Sequence, residues 1–148
     1  MIDREALFVV VDFDQIVSFV VLVDIDIVVE GDGISFAAHL AKELGCRVKS
    51  HEDFGTSVII FPDGYRIDVA TARMEYYKYP GALPTVEKSS VKSDLFRRDF
   101  TINSMAVKLA GPNAFCLIDF FNGKRDLKNK RIHVLHNLSF IEDPCRLF

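Results

Sequence analysis

The sequence predicts an α+β domain built on one mixed sheet, and three observations carry that reading. Runs rich in Val, Ile and Phe alternate with short segments of helical apolar spacing. Two runs, Thr56 to Phe61 and Tyr65 to Ala70, flank Pro62-Asp63-Gly64, a hairpin signal that makes part of the sheet antiparallel. The 148 residues, 49% hydrophobic and 26% charged, are enough for one domain with a core, and they contain no solenoid repeat or low-complexity tract.

The elements follow in order. Residues 6–13 and 16–30 read as strands, and Gly31 and Gly33 break the second. Ile34 to Leu44 carries apolar residues at helical spacing, and Gly45 is a natural stop. Arg47 to Lys49 is a short strand, and the hairpin comes next. Residues 74–90 read as an exposed loop, because Pro80, Gly81 and Pro84 deny regular structure. Ser90 or Ser93 caps a helix running to about Arg98. Ser104 to Leu109 and Phe115 to Phe120 are further strands. Phe121-Asn122-Gly123-Lys124 turns into a basic helix, Ile132 to Leu135 is a last strand, and Ser139 caps a final helix.

Charge narrows the function. The net charge is only −3, so no bulk basic field announces nucleic acid. Its placement is uneven. Lys88, Lys92, Arg97, Arg98, Lys108, Lys124, Arg125, Lys128, Lys130 and Arg131 are ten of the eighteen basic residues, and the first thirty residues are acidic. One region suits cations and the other phosphate. The apolar run from Ile16 to Val29 is interrupted by Ser18, Asp24 and Asp26, which makes it a poor membrane span. The acidic start lacks a basic region and cleavage site, so no secretory leader is expected. Cys46, Cys116 and Cys145 are odd in number and widely spaced, which suits a reducing cytoplasm.

Three constellations carry chemistry. Asp24 and Asp26 sit at i and i+2 of a strand, hence on one face, with Cα atoms roughly 6.5–7 Å apart. Two such carboxylates can grip hard cations such as Mg²⁺. A bare pair of this kind is more often the wet face of an edge strand, but Val23, Ile25, Val28 and Val29 argue against an edge here. Asp68, in Tyr65-Arg-Ile-Asp-Val69, is a third acid on a second strand. In Ser93-Asp-Leu-Phe-Arg-Arg-Asp-Phe-Thr-Ile-Asn103, Arg97, Arg98 and Asp99 gather at a helix end and Asn103 adds an amide. Guanidinium groups suit phosphate, although such a run is commonly a solvated charge cluster. His133 and His136 lack a nearby ligand partner and read as surface or satisfied core histidines.

Together these segments resemble the catalytic head of class II tRNA nucleotidyltransferases, the CCA-adding enzymes, with their A-adding and CC-adding relatives and bacterial poly(A) polymerase. The resemblance runs from about Asp24 to Phe148. It rests on Asp24-Ile-Asp-Ile-Val-Val-Glu-Gly-Asp-Gly33, on the hairpin and following loop, on Asp94-Leu-Phe-Arg-Arg-Asp-Phe-Thr-Ile-Asn-Ser-Met-Ala-Val107, and on Leu117 to Leu135. It implies a polymerase-β-like nucleotidyltransferase head over residues 1–138, with 139–148 entering the neck helix. It further implies Mg²⁺ as cofactor, ATP or CTP and the tRNA 3′ end as partners, and a cytoplasmic location away from membranes. By position, Asp24 and Asp26 would ligate Mg²⁺, Asp68 would be the third catalytic acid, and Arg98 with Arg97, Asp99 and Asn103 would contact the incoming nucleotide. A poly(A) polymerase head is the alternative within the family.

Two departures qualify what the resemblance implies. The family's Gly-Gly turn, which cradles the triphosphate, would fall at Val10 and Val11, and its Arg-Asp pair at Asp14 and Gln15; the chain has no glycine before Gly31. A second acidic pair, Asp12 and Asp14, stands there instead. The 148 residues also stop short of the neck, body and tail, to which the resemblance assigns base choice and tRNA grip. A catalytically impaired or engineered head that keeps the fold and binds nucleotide weakly is therefore the other reading.

Overall fold

The computed structural model describes residues 6–10, 25–79, 82, 85–137 and 139–142. They form β1 (Ala6–Val10), β2 (Ile25–Glu30), α1 (Gly33–Glu43), β3 (Arg47–His51), β4 (Thr56–Ile60), β5 (Arg66–Thr71), β6 (Arg73–Tyr76), β7 (Thr85–Lys88), α2 (Val91–Phe96), β8 (Met105–Lys108), β9 (Leu117–Asp119), α3 (Gly123–Lys128) and α4 (Ser139–Glu142). Short 3-10 turns lie at Glu52–Phe54 and Thr101–Asn103.

Seven strands form one sheet in the order β3-β4-β5-β2-β1-β8-β9, and β6 with β7 forms a separate pair. β2 is central because it is apolar toward both faces. Ile27 and Val29 pack with Ile59 and Val69 against Phe36, Ala37 and Ala41 of α1. Val28 points the opposite way, to Ala72, Ala106 and the α2 residues Val91 and Leu95. Burial of each large apolar side chain contributes about 1.5–3 kcal/mol. A continuous Ile-Val-Val run is therefore what a strand covered on both faces requires. β2 runs parallel to β5 and antiparallel to β1, so the sheet is mixed, as the α+β reading expects.

Local chemistry sets the boundaries. Asp32 caps α1, its Oδ1 accepting from the Ser35 N–H at 3.0 Å. That bond holds the Asp32 carboxyl below its ordinary range. Gly45, at φ +65°, follows the helix end in the left-handed region. The hairpin closes where expected: Phe61 N–H donates to Tyr65 O at 2.9 Å, and Tyr65 N–H to Asp63 Oδ1 at 2.9 Å.

Two expectations are corrected. Residues 74–90 are not without regular structure, since β6 and β7 pair antiparallel from Arg73↔Lys88 to Tyr76↔Thr85. Pro80, Gly81 and Pro84 fall between the two strands in sequence, so they shorten the pair without preventing it. Ile132 to Leu135 is not a strand but a single bridge, Phe100↔Val134. That segment runs antiparallel to the 99–101 backbone and pairs with it at this one position only. The strands expected over 6–13 and 16–30 are described at 6–10 and 25–30; residues 11–24, with Asp12, Asp14 and Asp24, lie outside the described residues. α4 starts at Ser139 itself, and 143–148 lie outside the described residues. Among the described residues no helix is long and apolar enough to cross a membrane.

Gly33 opens α1 against the end of β5, where an added Cβ would sit 2.8 Å from Thr71 N. Gly33→Ala is therefore expected to cost about 1–3 kcal/mol through overpacking against backbone. Urea unfolding measures this, and an unchanged midpoint would show that the helix shifts freely.

Candidate active site

The site is built on the face of the sheet that α2 shares. In the parallel β2–β5 pair, Asp26 is the Cα partner of Asp68. Register partners project to the same face, and neighbouring strands lie about 4.8 Å apart. Two carboxylates that are distant in sequence therefore stand side by side. The same row continues from Asp26 to Val10, from Val10 to Ala106 and from Ala106 to Ile118. Ala106 packs in one cluster with Leu95 of α2, and Ile118 packs against that cluster. Ala106 and Ile118 are thus roofed by α2, while Asp26 is half-buried and Asp68 exposed. Glu30, farther along the same face of β2, accepts from Val91 N–H at 2.6 Å and anchors the start of α2.

Asp24, the first of the predicted metal pair, lies outside the described residues. Among the described residues no three His, Cys, Asp or Glu side chains converge as a metal site. Asp26 and Asp68 supply the two hard oxygen donors that do come together. Their chemistry and placement on an accessible face fit Mg²⁺.

The arginine motif is organised by a residue that the sequence reading did not single out. Asp94, in α2, is 0% exposed. A buried carboxylate costs several kcal/mol unless it is paired and hydrogen-bonded. Its Oδ1 accepts from Arg73 N–H at 3.2 Å, from Arg97 Nε at 3.1 Å and from Arg97 Nη2 at 3.0 Å, while Oδ2 lies 3.9 Å from Arg98 Nη2. Arg97 reaches on to Glu75 Oε1 at 3.1 Å, which Arg73 Nη2 also meets at 3.0 Å. Arg73 Nη1 then donates to Phe54 O at 2.7 Å. Arg97 therefore ties α2 to β6. The sequence signal for Asp94 was its spacing, three and four residues before Arg97 and Arg98, where helical neighbours meet.

Asp99 and Asn103 do meet each other. Asp99 Oδ1 accepts from Phe100 N–H at 2.7 Å and from Asn103 Nδ2 at 3.3 Å. The backbone of this turn is held from outside, with Thr101 N–H donating to His133 O at 2.9 Å and Leu135 N–H to Asp99 O at 3.1 Å. Asp126 of α3 completes the support. It is buried, and accepts from Thr101 Oγ1 at 2.8 Å and His133 Nδ1–H at 2.7 Å. The His133 bond and then the Thr101 bond hold the Asp126 carboxyl below its usual value. Reading His133 as a satisfied histidine agrees with this pairing. Asp126 itself was hidden in the basic run, since Thr101 is remote in sequence. The His136 ring packs at a tilt against Phe96, ring centroids 5.6 Å apart.

A cleft of about 550 Å³ lies elsewhere. It is bordered by Tyr76 of β6, Lys92, Phe96 and Arg97 of α2, and Phe121 and His136. Neither Asp26 nor Asp68 lines it. Arg97 stands at its rim, so the cleft and the acid pair flank one helix.

The fold has counterparts among known proteins. A profile of the Poly A polymerase head domain family matches residues 14–133. An A-adding tRNA nucleotidyltransferase of Geobacter sulfurreducens is 64% identical over 125 residues, which are 84% of this chain and 14% of that protein. A structure of the apo form II of a CCA-adding enzyme superposes with a TM-score of 0.85 at 47% identity, over 97% of this chain and 34% of that one. A tRNA nucleotidyltransferase complexed with a primer tRNA and an incoming ATP analog gives a TM-score of 0.78 at 40% identity, over 97% of this chain and 39% of that one. The chain thus spans well under two thirds of the length of the proteins it matches. The polymerase-β-like head fold expected from the sequence is the fold found.

Asp94→Ala should cost about 3–5 kcal/mol, because it removes the buried acceptor shared by Arg97 and the Arg73 N–H and faced by Arg98. Denaturant unfolding tests this, and a loss under 1 kcal/mol would remove Asp94 as the organiser. For Asp126 the folded value is depressed, so its stabilisation is complete above the ordinary carboxyl value of 3.8 and is lost as pH falls through the lower folded value. The stability gap between wild type and Asp126→Asn is expected to be wide at pH 5 and to shrink toward pH 3. A pH-independent gap would mean that the carboxylate charge contributes nothing.

Proposed function

We propose that this chain, which belongs to the family of the Poly A polymerase head domain, is the catalytic head of a tRNA nucleotidyltransferase. The reaction is template-independent transfer of a nucleoside monophosphate from ATP or CTP to the 3′-hydroxyl of a tRNA. The oxygen of that hydroxyl bonds to the α-phosphorus, the bond from that phosphorus to the bridging oxygen breaks, and pyrophosphate leaves. The A-adding activity of the 64% identical relative favours AMP from ATP. One observation carries the reading: Asp26 and Asp68 stand in register on the face covered by the helix that leads into Arg97-Arg98-Asp99.

The residues take roles that follow from their placement. Asp26 and Asp68, with Asp24, hold Mg²⁺. The bound ion would acidify the attacking hydroxyl and offset charge on the departing phosphates. Arg98 meets the triphosphate, and Arg97, already engaged with Asp94 and Glu75, positions the end of α2 behind it. The Asp99–Asn103 turn presents polar groups to the sugar. Catalysis is then mainly positioning and electrostatics.

A second reading, an impaired head, has its own support. Val10, where the family's first cradle glycine would fall, is the register partner of Asp26. A β-branched residue thus stands in the strand position next to the acid, where a close approach of backbone to phosphate is needed.

Calorimetry of Mg²⁺ and ATP on this chain tests both readings. Asp26→Asn or Asp68→Asn is expected to weaken Mg-dependent ATP binding by at least about tenfold, the scale of one charge-assisted contact. Val10→Gly with Val11→Gly is expected to strengthen it. Saturable binding indifferent to both acids would sink the site assignment.

A further inference from the structure

β3 is one edge of the seven-stranded sheet. Among the described residues it pairs with β4 alone, in register from Arg47↔Ile60 to His51↔Thr56. An edge strand turns half of its backbone N–H and C=O groups away from its neighbour. β3 therefore offers a row of donors and acceptors about 17 Å long. All five of its residues are exposed. The other edge, β9, is only three residues long.

Register fixes which way the side chains of β3 point. Val48 partners Ile59, and Ser50 partners Ser57. Ile59 belongs to the cluster against α1, and Ser50 Oγ lies 2.8 Å from Ser57 Oγ, so Val48 and Ser50 share the α1 face. Arg47, Lys49 and His51 alternate with them and share the opposite face. Arg66 of β5 stands on that face too, because it and Arg47 are both register partners of Ile60. Arg47, Lys49 and Arg66 form no ion pair among the described residues. The next acids along the chain, Glu52 and Asp53, lie past the strand in a 3-10 turn. Cations on an edge are a common guard against self-pairing. The pattern does guard here: in an antiparallel pair of two copies centred on Lys49, Lys49 would face Lys49 and Arg47 would face His51. It does not oppose a strand with acids at alternating positions. Such a strand sets a carboxylate beside each cation, at a Cβ separation of about 4.5–5.5 Å. One row of like charge thus excludes one partner and selects another.

We infer that β3 is a docking edge for an extended acidic segment of a partner polypeptide, which adds to the sheet as a further strand. Main-chain hydrogen bonds supply the affinity, and Arg47, Lys49 and, when protonated, His51 select acids at every second position of the partner. Val48 and Ser50 meet the intervening residues on the other face. A nucleic acid would satisfy the cations but has no peptide edge to pair with the β3 backbone. The inference is independent of the catalytic reading, because it uses neither the Asp26–Asp68 pair nor the arginine motif.

The test titrates this chain with the end-blocked peptide Thr-Glu-Val-Glu-Val-Glu-Thr and follows backbone amide shifts by NMR. Saturable shifts are expected along Arg47 to His51. Two control peptides separate the contributions. Replacing both valines by proline keeps the charge and removes strand pairing, and it should abolish binding. Replacing the glutamates by lysine should abolish it through repulsion. Lys49→Glu and Arg47→Glu, both at exposed positions, are each expected to weaken binding of the acidic peptide roughly 3–10-fold. Lys49→Glu should also bind the lysine peptide more tightly than wild type does, a gain that misfolding cannot produce. The inference is overturned if the acidic peptide shows no saturable binding, if the proline peptide binds equally well, or if both variants keep wild-type affinity. An RNA oligonucleotide that shifts the β3 amides while the acidic peptide does not would assign the edge to nucleic acid and overturn it equally.

Discussion

The buried carboxylate of Asp94 is the constraint on which the geometry of this domain turns. A charge with no solvent must have partners, and its partners are three arginines from two places in the chain. Arg73 N–H fixes the start of β6, Arg97 fixes the end of α2, and Arg98 approaches from the next residue. Arg97 and Arg73 then converge on Glu75, so the β6–β7 pair cannot move independently of α2. α2 itself is clamped to the sheet by Val91 and Leu95, and at its start by Glu30. One desolvated acid thereby sets where the arginine motif stands relative to the central strands.

The acids of this domain divide by environment. Asp94 and Asp126 are buried, and each accepts hydrogen bonds through one carboxylate oxygen. They hold backbone in place. Asp26 and Asp68 stand on an accessible stretch of the same sheet face, in register. Burial and pairing make the first two structural, and the second two are the ones the proposed function gives to a cation. Under the proposed function the two kinds act together, because a phosphoryl-transfer site works by holding groups where charge develops.

Much of the fold was legible because its signals are local. The Val-Ile periodicity of β2, the cap and stop of α1, and Pro62-Asp63-Gly64 each encode their element within a few residues. The acid pair was legible in part. Asp26 and Asp68 are both visible in the sequence, but their adjacency depends on β2 and β5 pairing parallel across a helix and two strands. The β6–β7 pair was missed because Pro80, Gly81 and Pro84 dominate the local signal, while the pairing of Arg73 with Lys88 is not local. Ile132 to Leu135 has strand composition, yet it pairs antiparallel with the Asp99–Thr101 backbone at one bridge only. Composition does not report how much backbone a segment finds to pair with.

By itself the sequence determined the class of fold, the motif order that places the chain in its family, and the residue types offered to metal and phosphate. Tertiary structure alone decided which of those charges are free to act. Arg97 reads like a phosphate ligand and is held by Asp94 and Glu75. Asp126 reads as one acid in a basic run and is drawn inward by Thr101 and His133, leaving the cations outside. Whether a charge is paired depends on the groups that folding brings within 3 Å of it, and those come from distant parts of the chain.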